Sequence, residues 1–307
     1  MKRKNLIKYG LTALASFCAL AISTTQAQDK PAFDSSFTLA ANDADSSGGT
    51  ANNAASPGSA GGDDAASQEA LARAAQNPIA NMISVPLQNN FNFGIGPNDV
   101  TQWNLNVEPV IPISLNDDWT LITRTIIPII NQPSPGPGVG NAFGLGDINH
   151  QFYLTSAKPH QWILGAGPML TIPTETSSEL GNGKWCAGPD LVVLTIRDHW
   201  VVGALVNHQL SFAGWGQQNV NAFLAQPIVN YNLPHGWYLV STPIITANFE
   251  AAGNNAWTVP VGGGIGKIFK IGKQSFNGQL QAFDNVVTPD NGPSWQLRFQ
   301  ISLLFPK

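Results

Sequence analysis

The last stretch of the chain alternates between two classes of side chain. Between Trp295 and Phe305 every odd position is apolar, whereas the even positions begin with Gln296, Arg298, Gln300 and Ser302. Successive side chains of a β-strand point to opposite faces, so this pattern predicts a strand with one apolar face and one mostly polar face. Such a strand fits a soluble sheet over a core, or a membrane barrel whose apolar face meets lipid.

The first residues predict export. A basic start at Lys2, Arg3, Lys4 and Lys8 precedes an apolar run that is too short to span a bilayer, and residues 1–27 end in Thr-Gln-Ala. Cleavage of this signal peptide removes four positive and no negative charges, which takes the formal net charge from −4 to −8. An acidic chain of this kind argues against nucleic acid as a partner.

Composition separates the membrane classes. Only 11% of the residues are charged, against roughly 25% in ordinary soluble domains. Mean hydropathy is −0.03, and no long apolar run follows the signal peptide, which excludes a helical membrane protein. We therefore predict an all-β fold: a transmembrane, antiparallel, up-and-down β-barrel over residues 82–307, in the bacterial outer membrane. Outer-membrane lipid is then the expected partner.

Twelve segments carry the strand pattern. They are residues 83–95, 103–115, 119–131, 146–156, 161–173, 186–197, 200–213, 220–232, 237–249, 257–269, 274–286 and 295–305. An even number returns both chain ends to the periplasmic side, and the connections alternate between mostly short turns and longer loops rich in Gly, Pro and Asn. A soluble β-sandwich is the alternative.

Tryptophan positions favour the membrane barrel. Eight of the nine stand at strand ends, four on each side: Trp119, Trp162, Trp200 and Trp237 after short turns, and Trp103, Trp185, Trp257 and Trp295 after opposite-side loops. We predict that they form girdles at the two water–lipid interfaces, where an apolar ring and a polar N–H both find partners.

Two segments precede the barrel. Residues 28–66 are rich in Ala, Ser, Gly, Asn and Asp, which predicts a disordered linker. Residues 67–81 predict a short helix, capped by Ser67 and stopped by Pro78. We interpret this helix as a spacer at the barrel entry, with a plug inside the lumen as the alternative.

Polar residues on the inner face are the candidate site. We expect ten of them to line the lumen: Glu108, Arg124, Asp147, Arg298, Asn104, Asn106, Gln151, Asn207, Gln209 and Gln281. Neutral amides fill a barrel as readily as they line a path, and a ring of twelve strands lies between filled barrels and wide water channels. Glu108 and Arg124 lie on consecutive strands, and we expect them to form a structural ion pair rather than a selectivity element.

Seven prolines oppose the strand assignment. Pro109, Pro112, Pro128, Pro168, Pro227, Pro243 and Pro260 lie inside the predicted strands, and each lacks the N–H that a sheet uses. We expect bulges, bends or truncated strands at these positions.

No motif predicts catalysis, a metal or a cofactor. His208 and Ser211 are three residues apart, so on a strand they point to opposite faces and cannot act as base and nucleophile. His160, His199 and His235 lie in short turns without metal-ligand spacing. Gly262 to Lys267 resembles a phosphate loop, but Ile268 stands where Ser or Thr is needed. We therefore predict that the chain is not an enzyme.

Six stretches carry a family resemblance over about three quarters of the chain. These are Asn77–Ala80, Leu121–Pro128, Gly144–Asp147, Tyr231–Trp237, Trp257–Gly264 and Trp295–Phe299. With them the chain resembles bacterial outer-membrane proteins often labelled "neuromedin U", and it is similar to the barrels of the MetA-pathway phenol-degradation family. The resemblance implies a membrane barrel with a transport role, and it brings no substrate or catalytic residue set. In this chain Pro306 follows the terminal aromatic Phe305 that such barrels use as an assembly signal.

Three functional hypotheses follow. The first is a passive channel or transporter for small compounds, with hydrophobic or aromatic compounds as the candidate class and the solute itself unknown. The second is a structural or interaction barrel with a filled lumen. The third is a membrane-embedded hydrolase. The sequence leaves the oligomeric state open, since a closed barrel has no sheet edge that needs a partner.

Overall fold

The structure is a computed structural model that describes residues 69, 71–73, 75–158, 160–253 and 255–306. The predicted signal peptide and the linker at 28–66 lie outside these residues. No helix in the described part of the chain is both long and apolar enough to cross a membrane.

The described chain is almost entirely β-structure. Its strands are β1 (Ile83–Ile95), β2 (Val100–Val107), β3 (Val110–Ser114), β4 (Trp119–Gln132), β5 (Ala142–Leu145), β6 (Ile148–Ser156), β7 (Trp162–Ile172), β8 (Lys184–Arg197), β9 (Trp200–Gly214), β10 (Asn221–Asn232), β11 (Trp237–Ser241), β12 (Ile245–Asn248), β13 (Trp257–Ile271), β14 (Gln274–Val287) and β15 (Trp295–Phe305). Seven of the predicted segments are each matched to within a residue at both ends by a single strand: β1, β4, β7, β9, β10, β14 and β15.

These strands close into a ring. Each pairs antiparallel with its neighbours, and β15 returns to pair with β1 from Phe305 opposite Ile83 to Trp295 opposite Phe93. Three pairs of short strands, β2 with β3, β5 with β6 and β11 with β12, are single barrel strands interrupted by a short break. The fold is therefore the predicted closed, antiparallel, 12-stranded barrel.

The apolar and polar faces are inverted relative to a soluble sheet. In β1 the residues Ser84, Gln88 and Asn90 are buried inside the ring, whereas Ile83 faces outward and is 40% exposed. The same alternation in β8 buries Asp190 and exposes Leu191 to 52%. An apolar outer surface around a polar interior is the arrangement of a transmembrane barrel, not of a β-sandwich.

The two rims differ in the length of their connections. Both ends of the barrel sheet and the connections at 115–118, 157–161, 198–199, 233–236 and 272–273 share one rim, which we call the turn rim. The connections at 96–99, 133–141, 173–183, 215–220, 249–256 and 288–294 form the opposite rim, which we call the loop rim.

The barrel accommodates the seven prolines of the predicted strands in different ways. Pro109 and Pro243 stand in the breaks after β2 and β11, and Pro260 stands at a register shift between β13 and β14. Pro128 lies opposite the break at Gly146 and Asp147, where its carbonyl accepts the Gly146 N–H at 3.0 Å. Three prolines keep their pairing on one side without a register shift, to β4, β8 and β9, so no bulge forms there, whereas no pairing reaches them on the other side: Pro112, Pro168 and Pro227.

Candidate functional site: the barrel lumen

The lumen is the space bounded by the inward-facing side chains of the ring. All ten candidates from the sequence are buried there, with exposed fractions of 0–5%: Glu108, Arg124, Asp147, Arg298, Asn104, Asn106, Gln151, Asn207, Gln209 and Gln281. They are not one cluster, and the structure distributes them among several hydrogen-bonded groups. Their role in lining a path for a solute stays a prediction.

The first group is a belt of five side chains along the wall from the β2–β3 break to β8. Arg124 donates from Nη2 to Glu108 at 2.7 Å and from Nη1 to Gln151 at 3.0 Å. The Tyr153 hydroxyl lies 3.2 Å from Gln151 Oε1 and donates to Asp190 Oδ2 at 2.7 Å. The belt contains the predicted ion pair, and it adds Tyr153 and Asp190, which the sequence analysis did not single out.

The second group surrounds Arg298 on the opposite wall. Its guanidinium donates to Asn90 Oδ1 at 3.1 Å, to the Thr242 carbonyl at 3.0 Å and to Gln296 Oε1 at 3.1 Å. The guanidinium also lies 4.9 Å from the centre of the Phe283 ring. Since Thr242 stands in the break between β11 and β12, Arg298 supplies a hydrogen bond that the neighbouring strands do not give there.

Amides form shorter chains nearer the loop rim. Asn92 donates to Gln102 at 2.9 Å, and Gln102 donates to Gln132 at 2.6 Å. Across the ring, Thr171 accepts from Asn149 at 2.9 Å and donates to Gln209 at 2.7 Å. These chains fix the amide side chains, so this part of the lumen is an ordered polar surface.

Asp147 anchors the loop at 173–183. It stands in the break between β5 and β6, and its Oδ2 accepts the backbone N–H of Asn182 at 2.8 Å. Leu180 in the same loop is fully buried against Ile130, an inward-facing residue of β4. The loop therefore folds into the barrel mouth.

An apolar collar lies beside the belt, and the sequence analysis missed it. We give this name to seven buried side chains from separate parts of the ring: Val110, Ile122, Tyr153, Val192, Leu205, Leu224 and Ile244. They form one buried cluster with Ile79, which comes from the segment before β1. Gly165 makes room for this contact, because a Cβ on Gly165 would lie 2.6 Å from Ile79 Cδ1. The collar residues were visible as apolar members of otherwise polar inner faces, for example Leu205 before Asn207 and Gln209.

The segment before β1 occupies the lumen on the turn-rim side of the collar. We call residues 71–73 and 75–82 the N-terminal segment. Leu71, Ala72, Ala75 and Met82 form a buried cluster with Ile268 and Leu304 of the ring. Gln76 donates to Asn232 at 2.8 Å, and Asn77 Oδ1 accepts the Ile79 N–H at 3.1 Å. The spacer interpretation of this segment is therefore wrong, and the plug alternative describes its packing.

The N-terminal segment contains less helix than the sequence predicts. Among the described residues of 67–81, residues 69 and 71–73 are helical, whereas 75, 76, 78 and 79 lie in turns. Turns already occupy residues 75 and 76, ahead of the predicted stop at Pro78, and Asn77 makes the next turn by accepting the Ile79 N–H.

The tryptophans follow the two rims. Six of the eight predicted girdle residues are 40–51% exposed on the outer surface: Trp119, Trp162, Trp200, Trp237, Trp257 and Trp295. Trp103 is half-buried and donates to Asn89 at 3.2 Å, and Trp185 is half-buried near the loop rim. Contact with an actual lipid interface stays a prediction.

His208 and Ser211, which the sequence analysis rejected as a catalytic pair, each form a hydrogen bond with another residue. His208 Nε2 lies 2.8 Å from Asn221 Oδ1, and Ser211 Oγ accepts the Val220 N–H at 2.9 Å, so neither side chain is directed at the other. Among the described residues no three His, Cys, Asp or Glu side chains are grouped so as to hold a metal ion. Cys186 is a buried, free thiol.

A solved outer membrane channel shares this fold. The barrel is similar to the crystal structure of an outer membrane channel from Pseudomonas putida F1, with a TM-score of 0.55 and 18% identity over 73% of this chain and 94% of that chain. Lower similarity is found to the NanC porin, with a TM-score of 0.47 and 8% identity over 73% of this chain and 100% of that chain. OmpF of Salmonella typhi in complex with daunomycin gives a TM-score of 0.32 and 8% identity over 73% of this chain and 97% of that chain.

No protein-family model matches the sequence, and no curated protein matches it. The likeness to the Pseudomonas channel, at 18% identity, establishes the barrel fold. Neither the "neuromedin U" label nor the phenol-degradation family is shown, and both stay predictions.

Proposed function

We propose that this chain is an outer-membrane channel for small compounds, with hydrophobic or aromatic compounds as its solutes. The observation that carries the proposal is the apolar collar inside a closed barrel whose outer surface is also apolar. Amide side chains like those elsewhere in this lumen would be enough to fill the interior of a purely structural barrel. Seven apolar side chains from separate parts of the ring instead converge on one point.

The collar explains the choice of solute. Its walls are aliphatic apart from Tyr153, whose hydroxyl is directed to Asp190. A polar solute would bind such a surface weakly. An apolar solute would bind it with a favourable free energy of about 25 cal/mol for each Å² of apolar surface removed from water. Ile79 now occupies this place, so a solute has to replace the contacts of Ile79 with the collar. Passage therefore requires the N-terminal segment to move.

A reversible tether tests this function. In a Cys186→Ser background, Ile79→Cys and Gly165→Cys place two thiols where the segment meets the wall. We expect the oxidised protein to conduct no ions in planar bilayers and to admit no radiolabelled toluene into cells. Reduction should restore both to the level of the untethered Cys186→Ser protein. Equal conduction and uptake in the oxidised and reduced forms would contradict passage through the collar.

A structural barrel with a filled lumen is the second candidate. The buried N-terminal segment and the hydrogen-bonded belt favour it, because together they leave the described interior well packed. This candidate predicts no conduction by the untethered protein and the same toluene uptake as cells that lack the protein. The same tether experiment therefore separates the two functions.

A further inference from the structure

Asp190 is the belt carboxyl group for which the described residues show no ion pair. In the described part of the chain the ion pairs are Arg124–Glu108 in the lumen and Lys158–Asp118 on the turn rim. The side chain of Asp190 is fully buried. The belt therefore contains two carboxyl groups and one guanidinium, and the guanidinium is paired with Glu108.

One oxygen of Asp190 also lacks a hydrogen bond. The Tyr153 hydroxyl holds Oδ2 at 2.7 Å, whereas Oδ1 is buried and has no hydrogen-bond partner among the described residues. A buried polar atom of this kind costs about 1–3 kcal/mol unless a ligand or water satisfies it.

A second unpartnered acceptor, Asn106 Oδ1, lies beside Glu108, at the end of the belt away from Asp190. Asn106 is fully buried and donates from Nδ2 towards Glu108 Oε1 at 3.4 Å, and its Oδ1 has no hydrogen-bond partner among the described residues. Arg124 Nε is an orphaned donor in the belt, whereas Asp190 Oδ1 in the belt and Asn106 Oδ1 beside it are orphaned oxygens that accept, one of them ionisable. A ligand that satisfies them has to donate hydrogen bonds or carry positive charge.

We propose that Asp190 is a cation-docking residue of the lumen, whose Oδ1 receives an ammonium group or an alkali metal ion and gives the channel a preference for cations. The proposal rests on the proposed channel function and adds to it the charge of the species that passes. The site lies beside the collar, since Tyr153 belongs to both. A solute with an apolar body and one ammonium group would contact the collar and Asp190 together.

The test measures the reversal potential of the full-length protein in planar bilayers across a KCl gradient. We expect a several-fold preference for K⁺ over Cl⁻, which Asp190→Asn should reduce to near unity. The matched control is Asp284→Asn, which removes a carboxylate from the exposed, outer face of β14 and should leave the preference unchanged. Retention of the mobility shift on boiling in detergent checks that each variant forms the barrel.

Butylammonium distinguishes the two sources of positive charge. Block of the K⁺ current in the native protein and its loss in Asp190→Asn would show that the site takes an ammonium group. A K⁺ preference that depends on Asp190 without block would show that it takes an alkali ion only.

Two further outcomes separate this proposal from the proposed function. Conduction without cation preference, or a preference that Asp190→Asn retains, would overturn the role of Asp190 and leave the channel intact. Absence of conduction by the native protein would overturn both proposals.

Discussion

Arg124 Nη2 lies 2.7 Å from Glu108 Oε2, and both side chains are buried in the lumen. The pair joins β4 to the break between β2 and β3, at the residue that precedes Pro109. Glu108→Gln would leave a buried guanidinium without its counter-charge, so we expect the free energy of unfolding to fall by about 3–5 kcal/mol. Urea unfolding in lipid vesicles, followed by tryptophan fluorescence, measures this change.

The control for this prediction removes both charges. Glu108→Gln combined with Arg124→Met should recover most of the lost stability, because no buried charge then lacks a partner. If the double variant is as unstable as Glu108→Gln alone, shape rather than charge explains the loss.

A charged residue on the outer surface should destabilise the barrel more in the middle of the bilayer than near its surface. Leu191 faces outward in the middle of β8 and is 52% exposed, whereas Ile271 ends β13 at the turn rim and is 65% exposed. In a bilayer Leu191→Arg should cost about 2–4 kcal/mol and Ile271→Arg about 0–1 kcal/mol. Unfolding in vesicles checks the difference. Near-zero costs at both positions would indicate that this face does not contact lipid.

Movement of the N-terminal segment can be followed by thiol labelling. Ala75 is fully buried, so Ala75→Cys in a Cys186→Ser background should react slowly with a polar maleimide. Adding Ile79→Asp places a carboxylate among the collar side chains and should release the segment, with at least a several-fold faster reaction. Ile79→Val keeps an apolar contact and should leave the rate almost unchanged. Fast labelling in all three proteins would mean that the segment is not held by the collar.

Gly266 supports an aromatic ring on the inner face of β13. A Cβ on Gly266 would lie 2.1 Å from Tyr238 Cζ, and the Tyr238 hydroxyl donates to Asn277 at 2.5 Å. Gly266→Ala should therefore displace the ring and cost about 1–3 kcal/mol of stability. Gly278→Ala on β14 is the control, because the nearest atom to its added Cβ is the edge of Phe269 at 3.3 Å. Equal losses in the two variants would exclude a specific role for the ring.

The strand pattern was predictable because it is local. The alternation in β1 and β15 repeats every two residues, and a shift by one residue would place a whole apolar face on the wrong side. The inward position of Glu108 and Arg124 followed from the same pattern, and their pairing followed from their positions on consecutive strands. The collar was not predictable in this way, since Val110, Leu205 and Ile244 come from distant parts of the chain and meet only when the ring closes.

The N-terminal segment shows the same limit on what a local sequence pattern can predict. Its sequence indicates a short helix and a stop at Pro78, but no local pattern says whether that helix lies outside the barrel or within it. The ring itself decides this, because Gly165 leaves a space at the wall and the collar offers Ile79 an apolar surface.

By itself the sequence determined a closed ring of twelve alternating strands, with apolar side chains outside and polar ones inside, because side-chain alternation is a property of each strand alone. The tertiary structure decided which inner residues meet: the Asp190–Tyr153 contact, the Arg298–Thr242 contact and the occupation of the collar by Ile79. These contacts depend on the register between strands and on the curvature of the ring, which place residues far apart in the chain within hydrogen-bonding or van der Waals distance.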